Sequence, residues 1–212
     1  MTHHTVLAPA ADSEYWVRYY AVTVDRSPWA TVRSAIGRFD TDDGGPARDR
    51  FAVDLGCGAG RDARALLRAG WRVLAIDREP AAIAALENGL ARRPAAEARD
   101  ACRRPGRVSI PRCDLVNASL SLPFLSPNAF WSTWAMVLAA LPVGGRVSAM
   151  LFGDRDGSAD DPDMTCPPPE AIRASLADFE IEDWLDCEED TETALGEPHH
   201  FHRVELVARR TT

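Results

Sequence analysis

The sequence predicts an α/β fold: a largely parallel sheet covered by helices on both faces. Three observations predict it. Short apolar runs alternate with amphipathic stretches along the body of the chain, the pattern of strand–helix–strand units. The apolar run Phe51-Ala52-Val53-Asp54-Leu55 passes directly into Gly56-Cys57-Gly58-Ala59-Gly60 and then into a helical stretch, 61–69, closed by Gly70. Such a glycine turn lets the backbone approach a ligand closely and aims helix N–H groups at it. A second strand, 71–76, ends in Asp77. That acid lies about 20 positions after the first glycine, where a carboxylate on strand two can grip a ribose diol.

The glycines also bear on which nucleoside cofactor is bound. A dinucleotide fingerprint needs G-x-G-x-x-G, and here Arg61 stands in place of the last glycine. Asp54 at the strand tip would repel a pyrophosphate and suits a cofactor that carries an ammonium group. The segment Val53-Asp54-Leu55-Gly56-Cys57-Gly58-Ala59-Gly60 resembles motif I of the class I S-adenosylmethionine (SAM) dependent methyltransferases. Cys113-Asp114-Leu115-Val116-Asn117-Ala118-Ser119 is similar to motif IV of that superfamily. Leu141-Pro142-Val143-Gly144-Gly145-Arg146 is similar to its turn before strand five, with the proline one place early. The resemblance covers residues 51–152, and the small, tellurite-resistance-like group is nearest in layout. It implies a Rossmann-like sheet of seven strands in the order 3-2-1-4-5-7-6 with strand seven antiparallel. It also implies SAM as cofactor, held by Asp54, Gly56, Cys57, Gly58, Gly60, Asp77, Arg78, Asn117 and Ser119. An acid after strand three usually meets the adenine amino group in this superfamily. Arg107-Val108-Ser109 stands near that place, which leaves Asp100, Ser109 or backbone atoms for adenine.

The totals exclude other classes. A chain of 212 residues fits one domain with a full core, here expected as a helical cap, 1–46, on a Rossmann-like body, 47–212. A net charge of −8 disfavours nucleic acid or an anionic membrane as main partner. The longest apolar stretch, 129–143, is too short to span a bilayer, and no secretory signal is visible at the start. Five cysteines without a C-x-x-C pair read as reduced thiols in a cytoplasmic protein, with no metal site.

Along the chain, Asp12 is expected to cap a helix carrying Tyr15, Trp16, Tyr19 and Tyr20. Two readings stand for it: an aromatic helix packed on the domain, or a lid over the cofactor and substrate mouth. Ser27-Pro28 reads as a second helix start, with Trp29, Val32, Ile36 and Phe39 facing the core. Residues 41–46 read as a loop. Helices are expected from Pro80, from Ser126-Pro127 to about Leu141, and over 169–176. Strands are expected somewhere before Pro111, then over 114–119, 146–152, 179–187 and 200–208. The aspartates of 153–168 suggest a solvated acidic lid rather than a calcium loop, whose spacing they lack. Residues 188–198 read as an acidic loop.

Ligands in open α/β sheets lie beyond the carboxyl ends of the parallel strands. An antiparallel last strand would carry His199, His200 and His202 to that mouth. His200 and His202 alternate with Val204 and Leu206, so that face is expected inward, with both histidines as proton-transfer candidates. A packed histidine pair is the plainer reading. The resemblance therefore implies a SAM-dependent methyltransferase, expected to act on a small-molecule acceptor. Its rivals are a SAM-consuming lyase or cyclase and a non-catalytic SAM-binding partner protein. A nicotinamide-dependent oxidoreductase ranks behind them.

Overall fold

The computed structural model describes residues 13–43, 49–91 and 110–212. Two helices come first, α1 (Ser13–Thr23) and α2 (Ala30–Asp43). Strand and helix then alternate: β1 (Phe51–Leu55), α3 (Arg61–Arg68), β2 (Arg72–Ile76) and α4 (Pro80–Ala91). After them come β3 (Leu115–Ser119), a 3-10 turn (Leu122–Phe124), α5 (Pro127–Ala140), β4 (Arg146–Phe152), α6 (Pro169–Ser175), β5 (Phe179–Glu192) and β6 (Pro198–Arg210). Starts at Pro80, Pro127 and Pro169 follow from proline's fixed φ and missing N–H, which cost nothing in a first helical turn.

The strands form one sheet in the order β2-β1-β3-β4-β6-β5. The first four pair in parallel, and β6 runs antiparallel to both β4 and β5. Strand alternation divides the sheet into two packed faces. Val53, Val116, Val147, Val204 and Leu206 pack with Phe130, Trp134 and Ile172 of α5 and α6. Ala52, Val73, Leu115 and Val207 pack on the opposite face with Val32 and Phe39 of α2, Leu66 of α3 and Leu86 of α4. The second face also carries Asp54, Asn117 and Ser148 by the same alternation, and this decides where the site forms.

Several expectations are corrected. The described residues hold six strands, not seven. In the numbering of the expected topology their order is 2-1-4-5-7-6. The strand expected before Pro111 falls among 92–109, outside the described residues, as do Asp100, Ser109 and the Asp12 cap. Helix α2 starts at Ala30 rather than Pro28, with the Trp29 carbonyl accepting the Arg33 N–H at 3.2 Å. The cause is tertiary. The Trp29 N–H is spent on Asp62 Oδ1 (3.0 Å), and the Ser27 carbonyl accepts from the Arg61 guanidinium (3.0 and 2.5 Å). The helix also takes in the first residues of the expected loop, as far as Asp43.

The acidic loop after residue 187 is instead strand, for β5 and β6 stay paired as far as Glu192 and Pro198. Its acids are tolerated in a ladder because cations face them: Arg203 pairs with Glu189, His200 Nδ1 with Asp190 (2.8 Å) and Arg155 with Glu188 (2.6 Å). The 153–168 segment is tethered rather than freely solvated. Asp156 is buried, its Oδ1 accepting from His199 Nε2 (2.9 Å) and Ser158 N (3.0 Å) and its Oδ2 from His202 N (3.0 Å). Among the described residues no helix is long and apolar enough to cross a membrane.

Candidate active site

The site forms where β1, β2 and β3 end. Strand β1 delivers Asp54 to the face covered by α3, and the chain then turns through Gly56, Gly58 and Gly60, all at positive φ. At Gly58 (φ 51) a Cβ would lie 3.3 Å from the Tyr20 ring, so α1 sits directly on the turn. Gly60 (φ 81) precedes the first turn of α3, and a Cβ there would strike Leu86 of α4 at 2.4 Å. Glycine supplies both the left-handed backbone and this close packing. The turn is held to β2: Asp77 Oδ2 accepts the Gly58 N–H at 2.8 Å and Oδ1 the Glu79 N–H at 2.9 Å. Each oxygen keeps a second lone pair for a ligand hydroxyl.

Beneath the turn lies a buried carboxylate pair. Asp54 Oδ1 accepts from Asn117 Nδ2 at 2.8 Å. Asp62, in the first turn of α3, accepts from Ser119 Oγ (2.8 Å), Asn117 Nδ2 (3.2 Å) and Trp29 N. Asn117 Oδ1 in turn accepts from Ser148 Oγ at 3.0 Å. Burial, and next the Asp62 charge, push the Asp54 carboxyl well above the ordinary carboxylate range; the Asn117 amide and the Ala63 N–H oppose them and lose. Asp54 Oδ2 is buried without a hydrogen-bond partner. A buried acceptor left unpaired costs about 1–3 kcal/mol, so this atom invites a donor.

Above the turn is a cavity of about 370 Å³, within the range of small-molecule sites. Tyr15, Trp16, Tyr19 and Tyr20 of α1 roof it. Asp54, Gly56, Cys57, Gly58, Asp77, Arg78 and Ser119 also line it. Gly60 and Asn117 do not. Gly60 packs under α4, and Asn117 is fully buried and acts by orienting Asp54 and Asp62. A hollow of about 830 Å³ beside Leu141 and Arg210 lies at the amino ends of β3 and β4, the wrong end for a parallel-sheet ligand site.

Helix α1 is both packed and placed as a roof. Tyr20 packs with Ala59 and Ala82, and Trp16 meets Phe124 edge-on at 4.9 Å. Burial raises all three phenols, Tyr15 to about 12, so they are neutral donors at physiological pH. Slower amide exchange over residues 13–24 is expected when S-adenosylhomocysteine is added. Exchange unchanged by the ligand would mean that α1 only packs.

The structure does not bring His200 and His202 into the cavity. They lie on the face of β6 shared with Val204 and Leu206, which turns toward α5 and α6. His202 is fully buried; its Nδ1 accepts the Arg155 N–H (3.0 Å), and its Nε2 lies 2.8 Å from Asp186 Oδ1 and 2.9 Å from Arg155 Nη2. His200 is partly exposed beside Asp190 and Glu188, which raise its pKa. The opposite face of β6 supplies Phe201 and Arg203 to the cavity. Also missed from the sequence were Arg26, Arg61, Asp62, Leu120, Phe124 and Phe152, and the hairpin tip Thr193-Ala194. The alternation of Phe201 with Arg203 was the one available signal for the β6 face.

Comparison with known proteins agrees with this geometry. Residues 52–145 match a family described as a methyltransferase domain. This part of the chain is similar to a methyltransferase domain. No curated protein matches the sequence. The chain is similar in fold to TehB from Haemophilus influenzae, with 16% identity, a TM-score of 0.72, and coverage of 94% of this chain and 67% of that one. It is similar to magnesium protoporphyrin IX methyltransferase from Synechocystis PCC 6803 with bound SAM (15% identity, TM-score 0.63, 99% of this chain and 88% of that one). A third is the complex of a Haloferax volcanii methyltransferase activator, Trm112, with a putative methyltransferase; there the values are 16%, 0.65, 95% and 98%. These likenesses are of fold. The matched residues include the glycine turn, Asp54, Asp77, Asn117 and Ser119. The aromatic roof and the β6 wall lie outside the matched residues.

Proposed function

We propose that the chain transfers the methyl group of SAM to a small-molecule acceptor in the cavity beneath α1. One observation carries the reading: the cavity presents, unpartnered, the two groups that the amino-acid end of the cofactor complements. Asp54 Oδ2 lacks a donor, as an ammonium would supply. Arg26 lines the same cavity and has no ion pair among the described residues, as a carboxylate would supply. Gly56 and Gly58, both at positive φ, line the cavity with bare backbone that a cofactor could approach closely. Bound there, SAM supplies an electrophilic methyl carbon. Asp77 would take the ribose hydroxyls, and the turn's backbone would lie along the cofactor, flanked by Cys57, Arg78 and Ser119. The aromatic roof would exclude water and hold the acceptor in line, which is most of what methyl transfer asks of a protein.

Calorimetry with S-adenosylhomocysteine tests the reading. Asp77→Ala removes charge-assisted hydrogen bonds to the ribose, about 1.5–3 kcal/mol or roughly ten- to hundredfold in Kd. Unchanged affinity in a folded Asp77→Ala protein would refute the assignment. Incubation with SAM and cell extract then tests transfer, because a methyltransferase yields an acceptor heavier by one methylene. Methylthioadenosine without such a product would point to a lyase or cyclase.

A further inference from the structure

Resting on the methyltransferase reading, the cavity also restricts the chemistry of the acceptor. Among the described residues, those lining it include no histidine, lysine or glutamate. The chain has no lysine at all; its 24 basic side chains are arginines, which cannot take a proton at neutral pH. Each of the three lining carboxylates already accepts hydrogen bonds. Asp77 and Asp62 accept hydrogen bonds on both oxygens, and Asp54 accepts on one and turns the other to the cofactor's ammonium. The roof tyrosines are held neutral. Among the described residues lining the cavity, the remaining groups that could take a proton are therefore aspartates already accepting hydrogen bonds and the Cys57 thiol.

The wall away from the glycine turn shows what would bind instead. Trp16, Phe124, Phe152 and Phe201 succeed one another at centroid distances of 4.9, 6.3 and 6.1 Å. Beside Phe201 stands Arg203, its guanidinium carbon 5.6 Å from the ring centroid. One terminal nitrogen of Arg203 pairs with Glu189, while Nε is buried with no hydrogen-bond partner. Leu120, next to this wall, holds a left-handed backbone (φ 52) although it is not glycine. Strain of that kind persists where surrounding structure enforces it, often at ligand sites.

We propose that the acceptor is an apolar, typically aromatic molecule whose nucleophilic atom is already an anion at neutral pH, a carboxylate or thiolate, drawn by Arg203 to the Phe124–Phe152–Phe201 wall. The electron pair of the anion forms the new bond to the methyl carbon. The carbon–sulfur bond breaks with its pair left on sulfur. Sulfonium and anion both become neutral, and no proton is released. A reaction that destroys two charges is favoured by an apolar, water-poor surrounding, because the transition state has less charge to solvate than the separated ions. The aromatic wall supplies that surrounding and Arg203 brings the anion into it.

The test is made on the full chain saturated with S-adenosylhomocysteine. Phenylacetate and its neutral isostere phenylacetamide are titrated by calorimetry. Phenylacetate is expected to bind at least about tenfold more tightly, as a charge-assisted hydrogen bond allows. Arg203→Gln should erase the difference and Arg203→Lys keep part of it, with S-adenosylhomocysteine affinity unchanged in both. Equal binding of the two probes, no binding of either, or a preference that survives Arg203→Gln overturns the inference. Turnover with thiophenols of graded acidity gives a second readout. The rising limb of kcat/KM against pH should move with the pKa of each thiol. A limb fixed at one pH for every thiol reveals an enzyme base and overturns the inference, as does preferred methylation of benzyl alcohol over the thiolates. Wild-type protein that fails to bind S-adenosylhomocysteine sinks the methyltransferase reading itself, and this inference with it.

Discussion

Gly58→Val is expected to abolish S-adenosylhomocysteine binding, a loss of more than about a hundredfold in Kd or about 2.7 kcal/mol. Three costs coincide. The residue sits at φ 51, which a β-branched side chain adopts only under strain of about 1–3 kcal/mol. Its Cβ would stand 3.3 Å from Tyr20 Cε1 and 3.7 Å from Cδ1, before the two further methyls of valine are placed. Those methyls would press on Tyr20 and into the cavity that the turn lines. The Gly58 N–H also anchors Asp77 Oδ2, so a shifted turn carries the ribose carboxylate with it. Calorimetry on Gly58→Val and Gly58→Ala, with melting curves to confirm folding, decides the matter. A folded valine variant that binds within a few-fold of wild type would remove the glycine turn from the site.

Cofactor binding should tighten as pH rises, and the proton responsible should come from Asp54. Its carboxyl is raised in the folded protein by burial and by Asp62. The sign follows from which state holds the proton. The unfolded chain loses it near about pH 4 while the folded protein keeps it to higher pH. Stability from this group is therefore fully present below that pH and is lost as pH climbs through the raised folded value. An ammonium placed on Asp54 Oδ2 favours the charged carboxylate and expels the proton. Affinity for S-adenosylhomocysteine should then climb with pH below the raised value, by at most about tenfold per pH unit for one proton. Binding heats measured in phosphate and in Tris should differ by the ionisation heat of up to one released proton. Asp54→Asn should abolish both the slope and the release and weaken binding by about 1.5–3 kcal/mol, the range for a hydrogen bond to a charged group. A slope that persists in Asp54→Asn would place the proton elsewhere.

The histidines show how strand alternation misleads in a central strand. His202, Val204 and Leu206 do share a face, and that face is buried. But β6 lies between β4 and β5 with helices over both sides of the sheet, so apolar neighbours mark either face equally. Only the position of α1 and α2 determines that the side bearing Phe201 and Arg203 opens to the cavity. The acidic stretch from Glu188 to Glu192 misleads for a related reason. Its composition reads as loop, yet His200, Arg203 and Arg155 lie opposite and make it a ladder.

By itself the sequence determined the strand–glycine turn–helix unit, the second strand ending in Asp77, and hence the family it resembles and the cofactor proposed for it. These parts are contiguous, and their geometry depends on local steric limits: glycine at positive φ, a short apolar strand, and an acid one strand away. The aromatic helix was legible for the same reason, since residues three and four apart meet whatever surrounds them. The tertiary structure alone decided which charges remain unpartnered. Asp54 Oδ2 is left bare because Asn117, 63 positions away, occupies its twin. Arg61 is drawn off by the Ser27 carbonyl, whereas Arg26 keeps no ion pair among the described residues. Arg203 reaches the aromatic wall because an antiparallel strand returns to the mouth on that face. Such pairings depend on burial and on partners distant in the chain, and residue spacing carries no information about either.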